Sequence, residues 1–267
     1  MTTFLAPAWL VGCGNMAGAM VEGWRAAGID LSGVTAIRPS GTPVEGVRTV
    51  TALPEGESPR FVMLGVKPQK LDELVPGLAP KMTKDTLVVS LLAGVDAATL
   101  RRRFPAAGAI VRAMPNLAVA VGQGVTALYS TDADRDFAVS ALMDALGDAP
   151  WCNSDDELAA IGALAGSGPA YVARFAAAMA TGGQVMGLDP DRAAAIAART
   201  LVGTAALFDR GESFAGLARR VASPNGTTEQ GLAVLDGAEG LQPLVDRMFA
   251  AAIARGKAMA AEAAARG

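Results

Sequence analysis

The chain has 267 residues, of which 51% are hydrophobic and 18% are charged, so it can bury a sizeable core and is not a disordered segment. Its formal net charge of -3 offers no basic face of the kind that nucleic acids require, and we expect no nucleic-acid partner. It contains no histidine, which excludes Ser-His-Asp hydrolases and dehydrogenases that use a histidine as general acid.

The two cysteines, Cys13 and Cys152, favour neither a disulfide framework nor a zinc site. We therefore predict no bound metal and a reducing, cytoplasmic location. The first residues lack the positive region and the cleavage pattern of a signal peptide. The longest uncharged stretch, residues 113–131, contains proline, asparagine and glycine and is a poor membrane span, so no membrane association is expected.

Residues 1–154 alternate short apolar runs with amphipathic stretches. The apolar runs predict strands at 8–12, 34–38, 60–67, 86–94 and 109–115, with later strands at 124–130 and 149–153. Helices are expected at 16–28, in "QKLDELVPGL", in "DAATLRRRF" and near 133–146. Continuous apolar strands separated by helices predict an α/β fold with a parallel sheet that is covered on both faces.

From residue 155 onward almost every segment has a helical pattern rich in small residues. The predicted helices cover 155–187, 189–208, 214–222, 227–236 and 241–265. We predict a Rossmann-type dinucleotide-binding domain over residues 1–154 and an all-α domain over residues 155–267.

The segment "VGCGNMAGAM" carries the pattern G-x-G-x-x-A at Gly12, Gly14 and Ala17. It follows a predicted strand and opens a predicted helix, which is the setting that a dinucleotide pyrophosphate requires. Gly12 would allow the tight turn, Gly14 the approach of the phosphates, and Ala17 the close packing of helix on sheet. The alternative is an ordinary strand–helix turn, and the context favours the nucleotide.

The end of the second predicted strand distinguishes NADP from NAD. It carries Arg38 and Ser40, with no carboxylate before Glu45, whereas NAD binders usually place an acidic residue there. A guanidinium and a hydroxyl suit a 2′-phosphate, although Arg38 could also be a solvated loop residue. At the ends of later strands, Lys67 could contact phosphate or ribose and Asn116 the nicotinamide amide. The alternatives are an exposed loop lysine and a turn residue.

Two C-terminal segments interrupt the helical pattern. In "AGSGPAYV", Pro169 falls inside a predicted helix, so either a helix restarts there or the backbone approaches a substrate or a partner subunit. In "SPNGTT", a turn precedes a helix whose free N–H groups could hold a small carboxylate, with Thr228 facing a neighbouring polar atom. The alternative there is an ordinary threonine N-cap.

Together these segments resemble the pyrroline-5-carboxylate reductase family over essentially the whole chain. The segments that carry the resemblance are "GCGNMAGAM", "GVKPQ", "SLLAGV", "RAMPN", "GSGPAYV" and "SPNGTTEQGL". The resemblance implies NADPH-dependent reduction of 1-pyrroline-5-carboxylate to L-proline, the last step of proline biosynthesis, with NADH as an alternative cofactor. It also implies a homodimer formed through the helical domain, with a larger ring of dimers as a further expectation.

Carried over by position, the resemblance implies cofactor contacts from Gly12, Gly14, Asn15, Met16, Arg38, Ser40, Val66, Lys67, Pro68, Ala93 and Asn116. It implies that the backbone around Asn225, Gly226 and Thr227 binds the substrate carboxylate, and that Thr228 is the catalytic residue that hydrogen-bonds the ring nitrogen. Asn225 stands where the family usually has glycine, and Leu117 and Ala118 stand where it usually has threonine and proline. The segment before Ser223 lacks the usual His-Pro and acidic residue.

Other functions remain as alternatives. A β-hydroxyacid dehydrogenase needs a lysine in its helical domain, and residues 151–256 contain none, which disfavours it. A reductase of a different cyclic imine or ketimine stays open, as does a catalytically weak NADP-binding regulatory homologue.

Overall fold

A computed structural model of the chain describes residues 3–132 and 137–264. The predicted α/β fold is confirmed, with a Rossmann-type sheet followed by a helical region. Contacts divide the chain into two compact units. The first comprises Met1–Ser167 together with Ala252–Gly267, and the second comprises Gly168–Ala251. The domain boundary between residues 154 and 155 stays a prediction. None of the helices in the described part of the chain combines the length and apolar character that crossing a bilayer requires.

The first unit is built on one twisted sheet. Its strands, within the described residues, are β1 (Ala8–Val11), β2 (Val34–Ile37), β3 (Arg48–Val50), β4 (Phe61–Leu64), β5 (Leu87–Ser90), β6 (Ala109–Pro115), β7 (Gly124–Tyr129) and β8 (Gly147–Asp148). They lie in the order β3-β2-β1-β4-β5-β6-β7-β8, parallel from β3 to β6, with β7 antiparallel to β6 and β8 parallel to β7. The strand order reverses between β1 and β4, where open α/β sheets bind their ligands.

Five predicted apolar strands are confirmed as β1, β2, β4, β5 and β6, and the predicted strand at 124–130 as β7. No apolar run marks β3, because it has three residues and none of them is buried. The strand predicted at 149–153 is wrong in position, since β8 occupies Gly147–Asp148 and Trp151 forms an isolated bridge with Leu128.

Among the described residues, the α-helices that lie wholly within the first unit are α1 (Asn15–Ala26), α2 (Leu71–Leu78), α3 (Ala97–Arg103), α4 (Phe137–Asp144) and α5 (Asp155–Ile161). The helix predicted near 133–146 corresponds to α4, and residues 133–136 lie outside the described residues. Residues of β1, β2, β4, β5 and β6 enter two separate cores, one on each face of the sheet. Leu10 and Met63 pack with Trp24 of α1 in one core, and Trp9 and Val62 pack in the other. The sheet is therefore covered on both faces, as the continuous apolar strands predicted.

The remaining helices are α6 (Gly168–Val185), α7 (Pro190–Phe208), α8 (Phe214–Val221), α9 (Thr227–Leu235) and α10 (Leu241–Ala264). The final predicted helical residue, 265, lies outside the described residues. Helices α6 and α7 pack through Ala180, Ala193 and Ala197, whose small side chains let the two backbones come close.

The single helix predicted at 155–187 is wrong in its continuity. A π-helical turn at Gly162–Gly166 separates α5 from α6. Pro169 lies in the first turn of α6, where a missing N–H costs no intrahelical bond, so the restart of a helix accounts for it.

Candidate functional site

The loop after β1 meets the loop after β4 backbone to backbone. Gly12 has φ +81°, and a Cβ atom there would overlap Val66 Cγ1 and lie 2.9 Å from the Val66 nitrogen. A Cβ atom on Gly65 would in turn overlap the Gly12 carbonyl oxygen. Neither glycine has room for a side chain, so the loops at the carboxyl ends of β1 and β4 pack closely together at the point where the strand order reverses.

Gly14 is the N-cap of α1 and leaves the helix start open. Its backbone is extended, no side chain caps the helix, and a Cβ atom on Gly14 would meet nothing within 4 Å. The first turn, which begins with Asn15 and Met16, carries no acidic residue. Ala17 is buried, and its Cβ lies 3.3 Å from the position of a Cβ atom on Gly65. A helix start without a side-chain cap, with open space at Gly14 and no carboxylate in its first turn, has the features that an anion site requires.

Arg38 and Ser40 lie in the loop that follows β2. Arg38 Nη1 donates to the Thr42 carbonyl oxygen at 3.1 Å, and Ser40 Oγ lies 3.0 Å from Thr42 Oγ1. Within the described residues Arg38 forms no ion pair, whereas Glu45, the first acidic residue of the loop, is paired with Arg25 at 2.6 Å. The loop therefore presents a cation and a hydroxyl with no carboxylate beside them, an arrangement that suits a phosphate.

Cys13 lies between the two glycines and is buried. Burial raises the pKa of the Cys13 thiol, and the nearby charge of Arg38 opposes that rise without cancelling it. The thiol thus stays neutral and adds no negative charge to a loop that would receive phosphates.

Four further predicted cofactor contacts, Val66, Lys67, Pro68 and Ala93, follow β4 and β5. Val66 packs on Gly12, and Lys67 is exposed and forms no ion pair within the described residues. Pro68 opens a single 3₁₀ turn, Pro68–Lys70. Pro68 and half-buried Ala93 border the same small cavity of about 60 Å³, so the structure brings these two residues together.

Asn116 holds three backbone segments together. It is buried, and its Oδ1 accepts from the N–H groups of Ala118 and Val125, each at 3.2 Å. Its Nδ2 donates to the Ala165 carbonyl oxygen at 3.1 Å, which lies in the π-helical turn. Among the described residues, one of its two amide N–H groups forms a hydrogen bond. No short sequence pattern predicts the contact with Ala165, because the two residues are 49 positions apart.

In the second unit, Ser223 to Gly226 form a tight turn. The Gly226 N–H donates to the Ser223 carbonyl oxygen at 2.9 Å. Pro224 occupies the second position and Asn225, with φ +57°, the third, the residue pattern of a type II turn. A Cβ atom on Gly226 would overlap Ser223 Oγ and lie 2.9 Å from the Ser223 carbonyl oxygen. Gly226 is therefore required by packing, because its own φ of -84° suits any residue.

Gly226 is also the N-cap of α9, and no side chain caps this helix. Thr227 and Thr228 are its first two residues, so neither threonine is the N-cap and that alternative is wrong. Thr228 is half-buried and Thr227 is exposed. Glu229, which no motif marked as a site residue, accepts from the Asn225 N–H through Oε2 at 2.7 Å.

The helix starts at α1 and α9 differ from others in the chain. Helices α3, α5, α7 and α8 are each capped by an aspartate or serine side chain that accepts a backbone N–H; these residues are Asp96, Ser154, Asp189 and Ser213. Both α1 and α9 have glycine as the N-cap residue and lack such a bond. The two helix starts at which an anion was predicted therefore keep their N–H groups available to a ligand.

Known proteins similar to this chain agree over nearly its whole length. Residues 155–259 match the family model described as "Pyrroline-5-carboxylate reductase dimerisation", and residues 9–94 match "NADP oxidoreductase coenzyme F420-dependent". The pyrroline-5-carboxylate reductase of Pseudomonas aeruginosa is 32% identical over 261 residues, which cover 94% of this chain and 95% of that protein.

Two solved structures extend the likeness to the fold. A pyrroline-5-carboxylate reductase from Coxiella burnetii is 31% identical with a TM-score of 0.86, over 96% of this chain and 99% of that one. The Plasmodium falciparum pyrroline carboxylate reductase, solved with NADP bound, has a TM-score of 0.82 over 95% of this chain and 97% of that one. At 21% identity the second comparison shows a shared fold.

Proposed function

Because the chain belongs to the pyrroline-5-carboxylate reductase family, we propose that it reduces 1-pyrroline-5-carboxylate to L-proline with NADPH, in the last step of proline biosynthesis. The observation that supports this function best is the pair of glycine-started, uncapped helices. One stands at the switch point of the sheet, and the other follows the turn of the helical unit. A dinucleotide and a small carboxylate are the two anions that such a reductase must hold.

The residues of the first unit fit NADPH. Gly12 and Gly14 form a cradle that side chains would fill, and Arg38 forms no ion pair with any residue that the structure describes. NADPH, when bound, supplies the hydride. We assign pyrophosphate contacts to Gly12, Gly14, Asn15 and Met16, the 2′-phosphate to Arg38 and Ser40, the ribose border to Val66, Lys67 and Pro68, and the nicotinamide side to Ala93 and Asn116. NADH stays an alternative cofactor.

The substrate residues belong to the second unit. The N–H groups at the start of α9, around Gly226 and Thr227, would hold the carboxylate, and the Asn225 turn would set their direction. The Thr228 hydroxyl would hydrogen-bond the ring nitrogen and orient it. In this assignment Thr228 is the catalytic residue.

The absence of histidine from the sequence is compatible with this chemistry. A cyclic imine that is already protonated accepts a hydride without a strong general acid. The chain would therefore act by holding and orienting the substrate, with its carboxylate at α9 and its nitrogen at Thr228.

The chain carries the family's dimerisation region over residues 155–259, and we propose a homodimer formed through it. Large apolar side chains are exposed on the helices of the second unit, including Val185, Val202, Phe214 and Val234. Such side chains are typical of a covered surface. A larger ring of dimers, a cytoplasmic location and the absence of membrane and nucleic-acid partners remain parts of the same proposal.

The test is a steady-state assay of the purified protein with two imines and two cofactors. We expect NADPH oxidation with 1-pyrroline-5-carboxylate, much less with pyrroline-2-carboxylate, and lower efficiency with NADH. Faster turnover of the other imine would identify a different cyclic-imine reductase. NADPH binding without turnover of either imine would reject the proposal and favour a regulatory homologue.

The role of Thr228 is tested by Thr228→Ala, with Thr228→Ser as the control that keeps a hydroxyl. Loss of a hydrogen bond to a charged nitrogen should lower kcat/KM for the imine by about tenfold or more. Thr228→Ser should retain most of the activity. An unchanged kcat/KM in Thr228→Ala would remove the substrate role of this residue.

A further inference from the structure

Helices α5 and α9 begin with the same arrangement of asparagine and glutamate. Before α5, the Asn153 N–H donates to Glu157 Oε2 at 2.6 Å. Before α9, the Asn225 N–H donates to Glu229 Oε2 at 2.7 Å. In both cases the asparagine directly precedes the N-cap and the glutamate is the third helical residue. The two helix starts therefore share one of the two possible capping bonds, in which the glutamate accepts the N–H of the residue before the N-cap.

The two helix starts differ in the second capping bond, which the side chain of the N-cap residue accepts. In α5 the N-cap Ser154 accepts the Glu157 N–H through Oγ at 3.1 Å, which completes a reciprocal arrangement related to the capping box. In α9 the N-cap is Gly226, which has no side chain to accept the equivalent N–H. The start of α9 thus keeps the bond that ties down the preceding turn, and it lacks the bond that would occupy its own N–H groups.

We propose that Glu229 is a positioning residue for the substrate carboxylate, acting through its hydrogen bond to the Asn225 N–H. This inference rests on the proposed function. Asn225 has a positive φ, a conformation that costs a non-glycine residue free energy. The hydrogen bond to the Glu229 side-chain oxygen offsets that cost and holds the turn in one conformation. The N–H groups that follow the turn are then directed before the substrate arrives.

This role has a kinetic signature. The substrate carboxylate keeps its charge throughout the reaction, so the N–H groups bind it equally in the ground state and the transition state. Loosening the turn should therefore raise KM for the imine and leave kcat nearly unchanged. If Glu229 only stabilised α9, its removal would lower the melting temperature without raising KM at an unchanged kcat.

The experiment compares three variants of the full-length protein. Glu229→Ala removes the acceptor, Glu229→Gln keeps an oxygen acceptor without the charge, and Glu157→Ala removes the matched bond at α5. We expect Glu229→Ala to raise KM for 1-pyrroline-5-carboxylate about fivefold to tenfold, with kcat and KM for NADPH within about twofold of the wild type. Glu229→Gln and Glu157→Ala should leave KM for the imine within about twofold.

A second readout is hydrogen exchange at the Asn225 amide, which Glu229→Ala should accelerate and Glu157→Ala should not. An inactive wild type would reject the proposed function. An active wild type with an unchanged imine KM in Glu229→Ala would overturn this inference alone. An equal rise in KM in Glu229→Gln, or in Glu157→Ala, would also overturn it, because the effect would then come from charge or from general stability.

Discussion

The start of α1 and the start of α9 use the same N-cap residue in different surroundings. Above Gly14 a Cβ atom would meet nothing within 4 Å, whereas on Gly226 it would overlap the Ser223 side chain. The positive φ of the α1 turn falls on Gly12, and that of the α9 turn falls on Asn225. Space is therefore open at Gly14, whereas Gly226 is packed against the turn that precedes its helix. The contrast predicts different effects from the same glycine-to-alanine change.

The largest effect is expected at the open helix start. If the pyrophosphate binds at Gly14 as proposed, Gly14→Ala adds a methyl group in its path, and KM for NADPH should rise by about a hundredfold. The free protein should lose no more than about 1 kcal/mol of stability, because the methyl group meets no neighbour. Enzyme kinetics and urea unfolding measure the two effects.

The control for Gly14→Ala is Gly18→Ala in the same helix, where a Cβ atom also meets nothing within 4 Å. That change should stabilise the protein by about 0.5–1 kcal/mol and leave KM for NADPH unchanged. Similar KM values in the two variants would contradict the assignment of Gly14.

At the closed helix start, Gly226→Ala should disturb the turn itself. The new methyl group must displace Ser223, so KM for the imine should rise by about tenfold while KM for NADPH stays unchanged. Gly231→Ala, within α9 and with open space around it, is the matched control and should leave both values unchanged. A selective rise in KM for NADPH would refute the division of roles between the two helices.

Arg38→Ala tests the proposed contact between Arg38 and the 2′-phosphate of NADPH. If Arg38 holds a 2′-phosphate, KM for NADPH should rise about tenfold and KM for NADH should change little. Arg48→Ala is the control, because Arg48 pairs with Thr35, near the amino end of β2, whereas Arg38 follows its carboxyl end. Equal effects on both cofactors would remove the 2′-phosphate assignment.

The smallest effect concerns Cys13, a thiol that has no counterpart in the turn before α9. Burial raises the pKa of Cys13 above its ordinary value of 9.0, so the native state holds the proton more tightly than the unfolded chain does. That stabilisation is complete below the ordinary pKa and is lost as the pH rises through the native value. Urea unfolding between about pH 8 and pH 10 should therefore show a shallower loss of stability in Cys13→Ala.

An alkaline slope in Cys13→Ala equal to that of the wild type would show that Cys13 does not titrate differently on folding. Cys152, whose pKa burial also raises, would remain as a second source of the slope. Comparison with Cys152→Ala separates the two thiols.

The strands around the loop at Gly12 and Gly14 were predictable because apolar runs bounded by glycine leave few alternatives. The short strand β3 was not, since Arg48–Val50 contains no buried residue and reads as loop. The π-helical turn was also missed, because Gly162–Gly166 keeps a helical pattern in sequence while its hydrogen bonds shift by one residue.

The interpretation of the predicted carboxylate site depends on whether α9 has Gly226 or Thr227 as its N-cap. With Thr227 as the N-cap, Thr228 would be its neighbour in an ordinary capped helix. With Gly226 as the N-cap, the hydroxyls fall on the first two helical residues and the N–H groups stay uncapped. Sequence patterns place helix ends only to within a few residues, so they left both readings open. The bond from Asn225 to Glu229 depends on that same boundary.

The buried amide of Asn116 has a consequence for local opening. Its single Oδ1 accepts the N–H groups of Ala118 and Val125, and its Nδ2 holds the Ala165 carbonyl. Any fluctuation that withdraws this side chain releases all three bonds in one event. The two amide protons should therefore exchange with solvent at matched free energies of opening, as members of one cooperative unit.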